Sequence, residues 1–351
     1  MMSVPSPLLK SYLSEDALCR WRELIEASRR IVIFGHVSPD GDAMGATLAM
    51  YHYLVRLGKR VHVIVPNAFP DFLAWLPGSD AVIAYDHTTE ASIRIIGRSD
   101  LMICMDFNAV SRLERMADDV ANHRAPIIII DHHLHPDAQV DLLVSDPEAS
   151  STCEMVFCLL YQLGGMEAFD FDMASCIYCG MMTDTGSFTY NSNRPEVFYI
   201  ISLLLSCGID KDLIYRRVYH NFSESRLRLE GYILYEKLDY DALHHTALFT
   251  LTRDEMARFD FKKGDTEGIV NLPLQIKGTR LSISLREDPD QGLIRVSLRS
   301  VDDFPCNQMA KDFFNGGGHL NASGGSLDMT MDEAVRQARR AIEAYSDLLS
   351  E

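Results

Sequence analysis

Aspartate and histidine residues with metal-binding chemistry follow apolar runs in the first half of the chain. Asp131, His132 and His133 come directly after the aliphatic run at 127–130. Such a run is typical of a buried strand of a parallel sheet, and open α/β sheets bind ligands at the carboxyl ends of their strands. One Asp-His-His tripeptide alone is more often an ordinary polar loop, so the interpretation depends on recurrence.

The same layout recurs at three further places. The polar residues that follow an apolar run there are His36, Asp40 and Asp42, then Asp106, and then Asp184. The stretch 36–42 contains a proline and a glycine, which indicates a turn rather than a helix face. Because strands of one parallel sheet end at the same edge, we expect all these side chains to converge.

This residue set has a definite inorganic chemistry. Imidazole nitrogen combined with several carboxylate oxygens suits manganese, magnesium, iron, cobalt or zinc, and no thiolate is needed. One carboxylate can bridge two ions, which two-metal centres hold roughly 3.5–4 Å apart. The sequence therefore predicts a dinuclear metal site.

In this order the motifs resemble those of the DHH phosphoesterase superfamily, over nearly the whole chain. The matching segments are 36–45, Asp106 with Arg112, 131–133, 183–188 and 316–324. The last segment resembles the DHH-associated domain of the subgroup that holds nanoRNA-degrading oligoribonucleases and pAp phosphatases. Ala46 departs from the pattern, since many relatives carry a serine there.

The resemblance implies two divalent ions, with manganese favoured and magnesium or cobalt as alternatives. The implied ligands are His36, Asp40 and Asp106 for one ion, and Asp42, Asp106, His132 and Asp184 for the other. Asp106 would bridge the two. Asp131, His133 and Asp106 form the implied catalytic set, in which Asp131 orients a histidine and His133 faces the substrate phosphate.

The resemblance also implies a set of substrate-binding residues, most of them near the C-terminus. They are Arg112, Arg299, Ser300, Gly316, Gly317, Gly318 and His319. Consecutive glycines can take positive φ and bring backbone N–H groups close to an anion. An arginine can donate two parallel hydrogen bonds to a terminal phosphate.

Composition limits the partners. The net charge of −17 argues against binding long nucleic acid by backbone neutralisation, whereas short RNA or small nucleotides remain compatible. No apolar run reaches the ~18 residues of a membrane span. Eight cysteines without the spacing of a disulfide framework suit a reducing cytoplasm. The sequence does not decide between a monomer and a homodimer.

Alternating strand and helix patterns predict an α/β protein with two domains. We expect a doubly wound, mostly parallel sheet in residues 1–194 and a helical connector over 195–240. A smaller α/β domain with a mixed sheet is expected over 241–351, because two alternating strand patterns there flank a Gln-Gly turn.

The function that follows is metal-dependent phosphoester hydrolysis. The expected substrates are short oligoribonucleotides, pAp or both, cleaved to mononucleotides. A phosphodiesterase for cyclic or linear dinucleotides is the main alternative, because it would share all five motifs. An inorganic pyrophosphatase and a non-catalytic nucleotide-binding regulator rank lower.

Overall fold

The computed structural model describes residues 8–134, 140–262, 264–288 and 291–349. The chain divides into two compact units, Met1–Asn221 and Phe222–Glu351. This division falls inside the predicted connector at 195–240 rather than at either of its ends.

The first unit contains a six-stranded sheet whose strand neighbours all pair in parallel. Its strands are β1 (Arg30–Phe34), β2 (Arg60–Val65), β3 (Ile83–Ala84), β4 (Leu101–Met105), β5 (Ile127–Asp131) and β6 (Leu142–Ser145). They lie in the order β3-β2-β1-β4-β5-β6. The order reverses between β1 and β4, which makes their carboxyl ends the topological switch point, where ligands of such sheets bind.

Helices cover both faces of this sheet. They are α1 (Glu15–Ala27), α2 (Gly41–Arg56), α3 (Thr89–Ile96), α4 (Ala117–Ala121), α5 (Thr152–Gly164), α6 (Phe171–Asp184), α7 (Pro195–Ser206) and α8 (Lys211–Tyr219). Successive side chains of a strand point to opposite faces. Ile31 and Ile33 of β1 accordingly pack with α2, α5 and α6, and Val32 and Phe34 pack on the α3 and α4 side.

The second unit has a mixed six-stranded sheet in the order β11-β12-β10-β9-β8-β7. Its strands are β7 (Asp239–Asp241), β8 (Thr246–Leu251), β9 (Leu281–Glu287), β10 (Ile294–Ser300), β11 (Gly317–Gly318) and β12 (Ala322–Leu327). The β8–β9 pair is parallel and the other pairs are antiparallel. Its helices are α9 (Glu224–Tyr232), α10 (Arg253–Arg258), α11 (Cys306–Phe313), α12 (Met331–Ala344) and α13 (Ser346–Leu349).

Shorter helical turns complete the described chain. They are 3-10 helices at Asp71–Leu73, Ser79–Ala81, Val110–Met116, Gly165–Ala168 and Ile269–Gln275, and a π-helix at Ile233–Lys237. The α/β class, the parallel first sheet and the mixed second sheet are confirmed. No helix among the described residues is long and apolar enough to cross a bilayer.

Two local predictions were wrong. The run at 180–183 was interpreted as a strand end, but it is the last turn of α6. A short apolar run does not distinguish a buried helix from a buried strand. Asp42 was placed in a turn, whereas it lies in the first turn of α2, with Asp40 as the N-cap.

Candidate metal centre

The switch point of the first sheet gathers the predicted ligands. His36 lies two residues past β1, Asp106 directly follows β4, and His132 directly follows β5. Asp40 caps α2, where its Oδ1 accepts hydrogen bonds from the N–H groups of Asp42 and Ala43 at 3.0 Å each. Parallel pairing of neighbouring strands therefore brings separated sequence positions to one edge.

Asp106 lies between two imidazoles. Its Oδ2 is 3.4 Å from His36 Nε2, and its Oδ1 is 3.6 Å from His132 Nε2. Its side chain is only 2% exposed. The Asp106 backbone has φ of 65°, a left-handed conformation that non-glycine residues rarely adopt and that clusters at functional sites. One buried carboxylate thus presents an oxygen to each of two adjoining groups.

The other predicted ligands complete these two groups. His36 Nε2 is 3.9 Å from Asp40 Oδ1. His132 Nε2 is 3.9 Å from Asp42 Oδ2 and 3.5 Å from Asp184 Oδ2. Within each group, His36-Asp40-Asp106 and Asp42-His132-Asp184, the candidate ligand atoms lie within 4.8 Å of one another. The structure therefore brings all six predicted ligands together.

Both imidazoles have the orientation that a metal ligand needs. His36 Nδ1 is 2.8 Å from the carbonyl oxygen of Val37, and His132 Nδ1 is 3.2 Å from that of Ala149. A carbonyl oxygen only accepts, so Nδ1 carries the proton and Nε2 presents its lone pair to the carboxylates. The Nε2-to-carboxylate separations are too long for good hydrogen bonds and leave space for a cation between them.

Electrostatics also favour cations here. Burial, reinforced by the charges of Asp42, Asp40 and Asp184, raises the pKa of Asp106 well above its usual range. Burial likewise raises the pKa of Asp42. Several buried carboxylates in one place are costly unless positive charge offsets them. The donor set and its charge therefore fit divalent metal ions.

Burial and charge act in opposite directions on the two histidines. Burial lowers the pKa of His36, outweighing the nearby Asp40 carboxylate. Burial also acts to lower the pKa of His132, but the carboxylates of Asp184 and Asp42 raise it overall. A lowered pKa favours the neutral form of His36, which is the form that binds a metal ion. The carboxylates around His132 instead attract positive charge, whether it is a proton or a metal ion.

The amino end of α5 supports the centre and was not predicted to do so. Asp42 Oδ2 accepts from the Thr152 N–H at 2.6 Å, and Asp42 Oδ1 accepts from the Cys153 N–H at 2.9 Å. The Thr152 hydroxyl donates to Asp106 Oδ1 at 2.8 Å. The N-cap of α5 is Ser151, the middle one of three consecutive hydroxyl residues at 150–152. The run of hydroxyl residues was the available signal.

Close helix contacts deliver Asp184 to the cluster. A Cβ added to Gly41 would lie 2.2 Å from Thr183 Oγ1, and one added to Gly180 would lie 3.0 Å from Asp42 Oδ1. Only glycine allows α2 and α6 to approach this closely. Asp184, the last residue of α6, therefore reaches the same edge as the strand-end ligands.

Asp131 and His133 form a pair beside this cluster. Asp131 Oδ1 and His133 Nδ1 are 2.7 Å apart, with Asp131 fully buried and the His133 side chain 23% exposed. His133 Nδ1 is also 3.8 Å from Asp106 Oδ1. The other oxygen of Asp131 is buried without a hydrogen-bond partner among the described residues. The contact explains how Asp131 sets the orientation of the His133 ring.

Arg112 lies next to the group of candidate ligands that contains His36. Its carbonyl oxygen accepts a hydrogen bond from the N–H of Val37 at 3.2 Å, which ties it to the residue after His36. Its side chain is exposed. Its positive charge acts on His36, so the guanidinium lies near that imidazole.

The glycines of the second unit have different surroundings. A Cβ on Gly316 would lie 1.8 Å from the carbonyl oxygen of Gly324, and one on Gly318, whose φ is 142°, would lie 2.5 Å from that of Ala322. A Cβ on Gly317 would meet nothing within 4 Å. Strand packing therefore accounts for Gly316 and Gly318 but not for Gly317.

The remaining residues of the second unit lie around the end of β10. The Ser300 hydroxyl is buried, donates to the Phe304 carbonyl at 2.9 Å and accepts from Asn321 Nδ2 at 2.9 Å, so its hydrogen-bonding capacity serves the fold. Arg299 is partly buried and donates to the Leu298 carbonyl oxygen. The His319 N–H donates to the Ala322 carbonyl oxygen at 2.8 Å.

The fold and the cluster define a class: an α/β protein with a centre of carboxylates and imidazoles, able to hold metal, at the switch point of a parallel sheet. Residues 30–181 match the DHH family, N-terminal domain, and residues 245–348 match the DHHA1 domain. The chain belongs to the DHH family, and the predicted superfamily is confirmed.

Several known proteins are similar to the chain. The bifunctional oligoribonuclease and PAP phosphatase NrnA of Thermus thermophilus is 28% identical over 313 residues, which are 89% of each chain. A cyclic-di-AMP phosphodiesterase, GdpP of Geobacillus thermodenitrificans, is 27% identical over 92% of this chain, which spans 49% of that protein. The crystal structure of an exopolyphosphatase-related protein from Bacteroides fragilis is 50% identical, with a TM-score of 0.93 over 98% of this chain and 100% of that one.

Proposed function

We propose that this protein is a metal-dependent phosphoesterase that hydrolyses short oligoribonucleotides, pAp or both to mononucleotides. One observation carries the proposal: the two oxygens of Asp106 face the Nε2 atoms of His36 and His132 at 3.4 and 3.6 Å. A buried carboxylate between two ligand groups is suited to bridge two ions.

Two divalent cations are proposed for these groups, with manganese favoured and magnesium or cobalt as alternatives. The proposed ligands are His36, Asp40 and Asp106 on one side, and Asp42, Asp106, His132 and Asp184 on the other. Nitrogen and carboxylate donors suit these metals. When bound, they supply Lewis acidity and lower the pKa of an attacking water.

The protein side chains position these components and the substrate. Thr152 and the backbone amides of Thr152 and Cys153 hold Asp106 and Asp42 in place through three hydrogen bonds of 2.6, 2.8 and 2.9 Å. Asp131 fixes the ring of His133, which is partly exposed and which we assign to a phosphate oxygen of the substrate. Arg112 is assigned to the same anion.

We propose that the second unit binds the nucleotide part of the substrate. Arg299 suits a terminal phosphate, because a guanidinium donates two parallel hydrogen bonds. Gly317 has open space at its Cα, so its backbone can approach a ligand closely, and His319 follows the glycines. We assign a structural role to three other residues, which stabilise the conformation of the segment 316–319: Gly316, Gly318 and Ser300.

Relatives support the substrate class. The NrnA protein of Bacillus subtilis, also named as an oligoribonuclease and PAP phosphatase, is 27% identical over 87% of this chain and 91% of its own length. The net charge of −17 favours short over long nucleic acid. Cyclic-dinucleotide hydrolysis is the second candidate, because GdpP matches 92% of this chain.

A substrate panel tests the proposal. Metal-stripped protein is reconstituted with manganese and given pAp, RNA of two to five nucleotides, linear and cyclic dinucleotides, pyrophosphate, polyphosphate and long single-stranded DNA. Chromatography measures mononucleotides, and a colorimetric assay measures released phosphate. We expect turnover of short RNA or pAp that needs metal and is lost in Asp106→Asn but kept in Asp80→Asn, an exposed control.

Exclusive turnover of cyclic dinucleotides would select the second candidate. Turnover of pyrophosphate or polyphosphate alone would contradict both nucleotide assignments. Activity that persists after metal removal would contradict the metal-dependent chemistry itself.

A further inference from the structure

Four arginines surround a cavity at the amino edge of the first sheet, opposite the Asp106 cluster. β1 and β2 begin with Arg30 and Arg60, and Arg94 and Arg98 lie at the end of α3 and just beyond it. The cavity measures about 330 Å³, and its other lining residues are Ile31, Val32, His62, Ala91 and Ile95. It is about half open to solvent, its four arginines are exposed, and its volume is at the lower end of the range for small-molecule sites.

Strand register creates this arrangement. Arg30 of β1 pairs with Arg60 of β2, and Val32 pairs with His62. Residues two apart on a strand share a face, so Arg30, Arg60 and His62 lie on the face that α3 covers. Val32 belongs to the apolar cluster against which Ile95 packs, and this cluster forms an apolar wall beside the charges.

The positive charge of the cavity is only partly compensated. Arg30 pairs with Asp100 at 2.7 Å, and Arg94 lies 3.7 Å from Glu90 in a solvent-exposed pair. No ion pair to Arg60 or Arg98 occurs in the part of the chain that the structure describes. In a chain with a net charge of −17, grouping like charges across neighbouring strands is unfavourable for folding alone.

We propose that this cavity binds a small phosphorylated anion, a nucleoside phosphate, at a site separate from the Asp106 cluster. Guanidinium groups bind phosphate oxygens through paired hydrogen bonds. The partly exposed side chains of Ala91 and Ile95 give a base an apolar surface beside the arginines. The cavity lies one strand length, roughly 13 Å, from the metal edge, and it contains none of the proposed metal ligands, so binding there needs no metal.

The test measures binding rather than catalysis. Metal-stripped full-length protein is titrated with ADP, inorganic phosphate and adenosine by calorimetry in the presence of chelator. The variant Arg60→Ala/Arg98→Ala is compared with Arg228→Ala/Arg340→Ala, which removes the same charge from exposed positions of the second unit. A second variant, Arg60→Lys/Arg98→Lys, keeps the charge but loses the planar fork.

We expect wild type and the control to bind one equivalent of ADP that the Arg60→Ala/Arg98→Ala variant loses or binds at least tenfold more weakly. The lysine variant should fall between them, and adenosine alone should not bind. Manganese-dependent hydrolysis should be unchanged in the arginine variants, so this site and the proposed function can fail separately.

Equal ADP binding by the alanine variant and its control would overturn the site. Inorganic phosphate that binds as tightly as ADP would overturn the nucleoside assignment. If the alanine variant fails to fold, equal ADP affinity of wild type and the lysine variant would overturn the role of the guanidinium fork.

Discussion

In the first unit five of the six predicted ligands are buried or partly buried together at a cost to folding, and only Asp184 is exposed. In the second unit, most of the predicted substrate-binding segment 316–319 serves the fold. Asp42 and Asp106 are almost fully buried beside other carboxylates, and nothing in hydrophobic packing requires this. Gly316, Gly318 and Ser300 have immediate packing or hydrogen-bonding reasons for their identity. Residues whose identity folding does not explain are therefore the stronger candidates for a role in function.

The largest effect is expected at the bridging position. Asp106→Ala should lower kcat for the preferred substrate by roughly 10³-fold or more, since several kcal/mol of metal-dependent stabilisation is lost. Metal content measured by mass spectrometry should fall in parallel. Near-wild-type turnover with full metal content would remove the basis for the first-unit assignment.

The Asp131–His133 pair should show the next largest effect. Asp131→Asn should reduce kcat about 10- to 100-fold with metal content retained, because the groups that orient site residues typically contribute that much. His133→Asn should cost at least as much, and adding Asp131→Asn to it should cost little more, since Asp131 acts through His133. Additive losses would mean that Asp131 acts independently of His133.

If the second unit binds the nucleotide, removing its binding residues should change the KM for a nucleotide substrate. Arg299→Ala should raise KM for a nucleotide about tenfold, the loss of one hydrogen-bonded charge. Hydrolysis of a simple aryl phosphodiester should stay near wild type. Arg295→Ala is the matched control, because Arg295 lies on the same strand and pairs with Asp288 at 2.9 Å. Equal losses on both substrates would contradict a separate nucleotide-binding role of the second unit.

Substitutions in the glycine segment 316–318 should have the smallest effect on activity. Two of them should nevertheless differ clearly in their effect on stability. Gly316→Ala should destabilise the second unit by about 3 kcal/mol, because the new methyl group overlaps a carbonyl oxygen. Gly317→Ala should change stability by less than about 0.5 kcal/mol. Thermal unfolding gives both values. A raised nucleotide KM in Gly317→Ala, without lost stability, would identify the glycine segment as a binding element.

Strand-end chemistry could be predicted from this sequence, and contacts between distant elements could not. Short apolar runs followed by Asp or His identified β1, β4 and β5 because parallel strands impose a common edge. The position of Asp184 on a helix end, and the support that Thr152 gives to Asp106 across 46 positions, depend on helix packing. The pairing of Arg30 with Arg60 depends on register, which no local pattern encodes.

The left-handed backbone of Asp106 limits how this protein can be made more stable. Glycine adopts that conformation without penalty, so a search for thermostable variants would favour glycine at position 106. That exchange would relax the strain and remove a buried acid, yet it would delete the carboxylate that we propose both ligand groups share. Thermal stability and catalysis therefore make opposite demands on residue 106. Selection for thermal stability alone should yield a stable protein without activity.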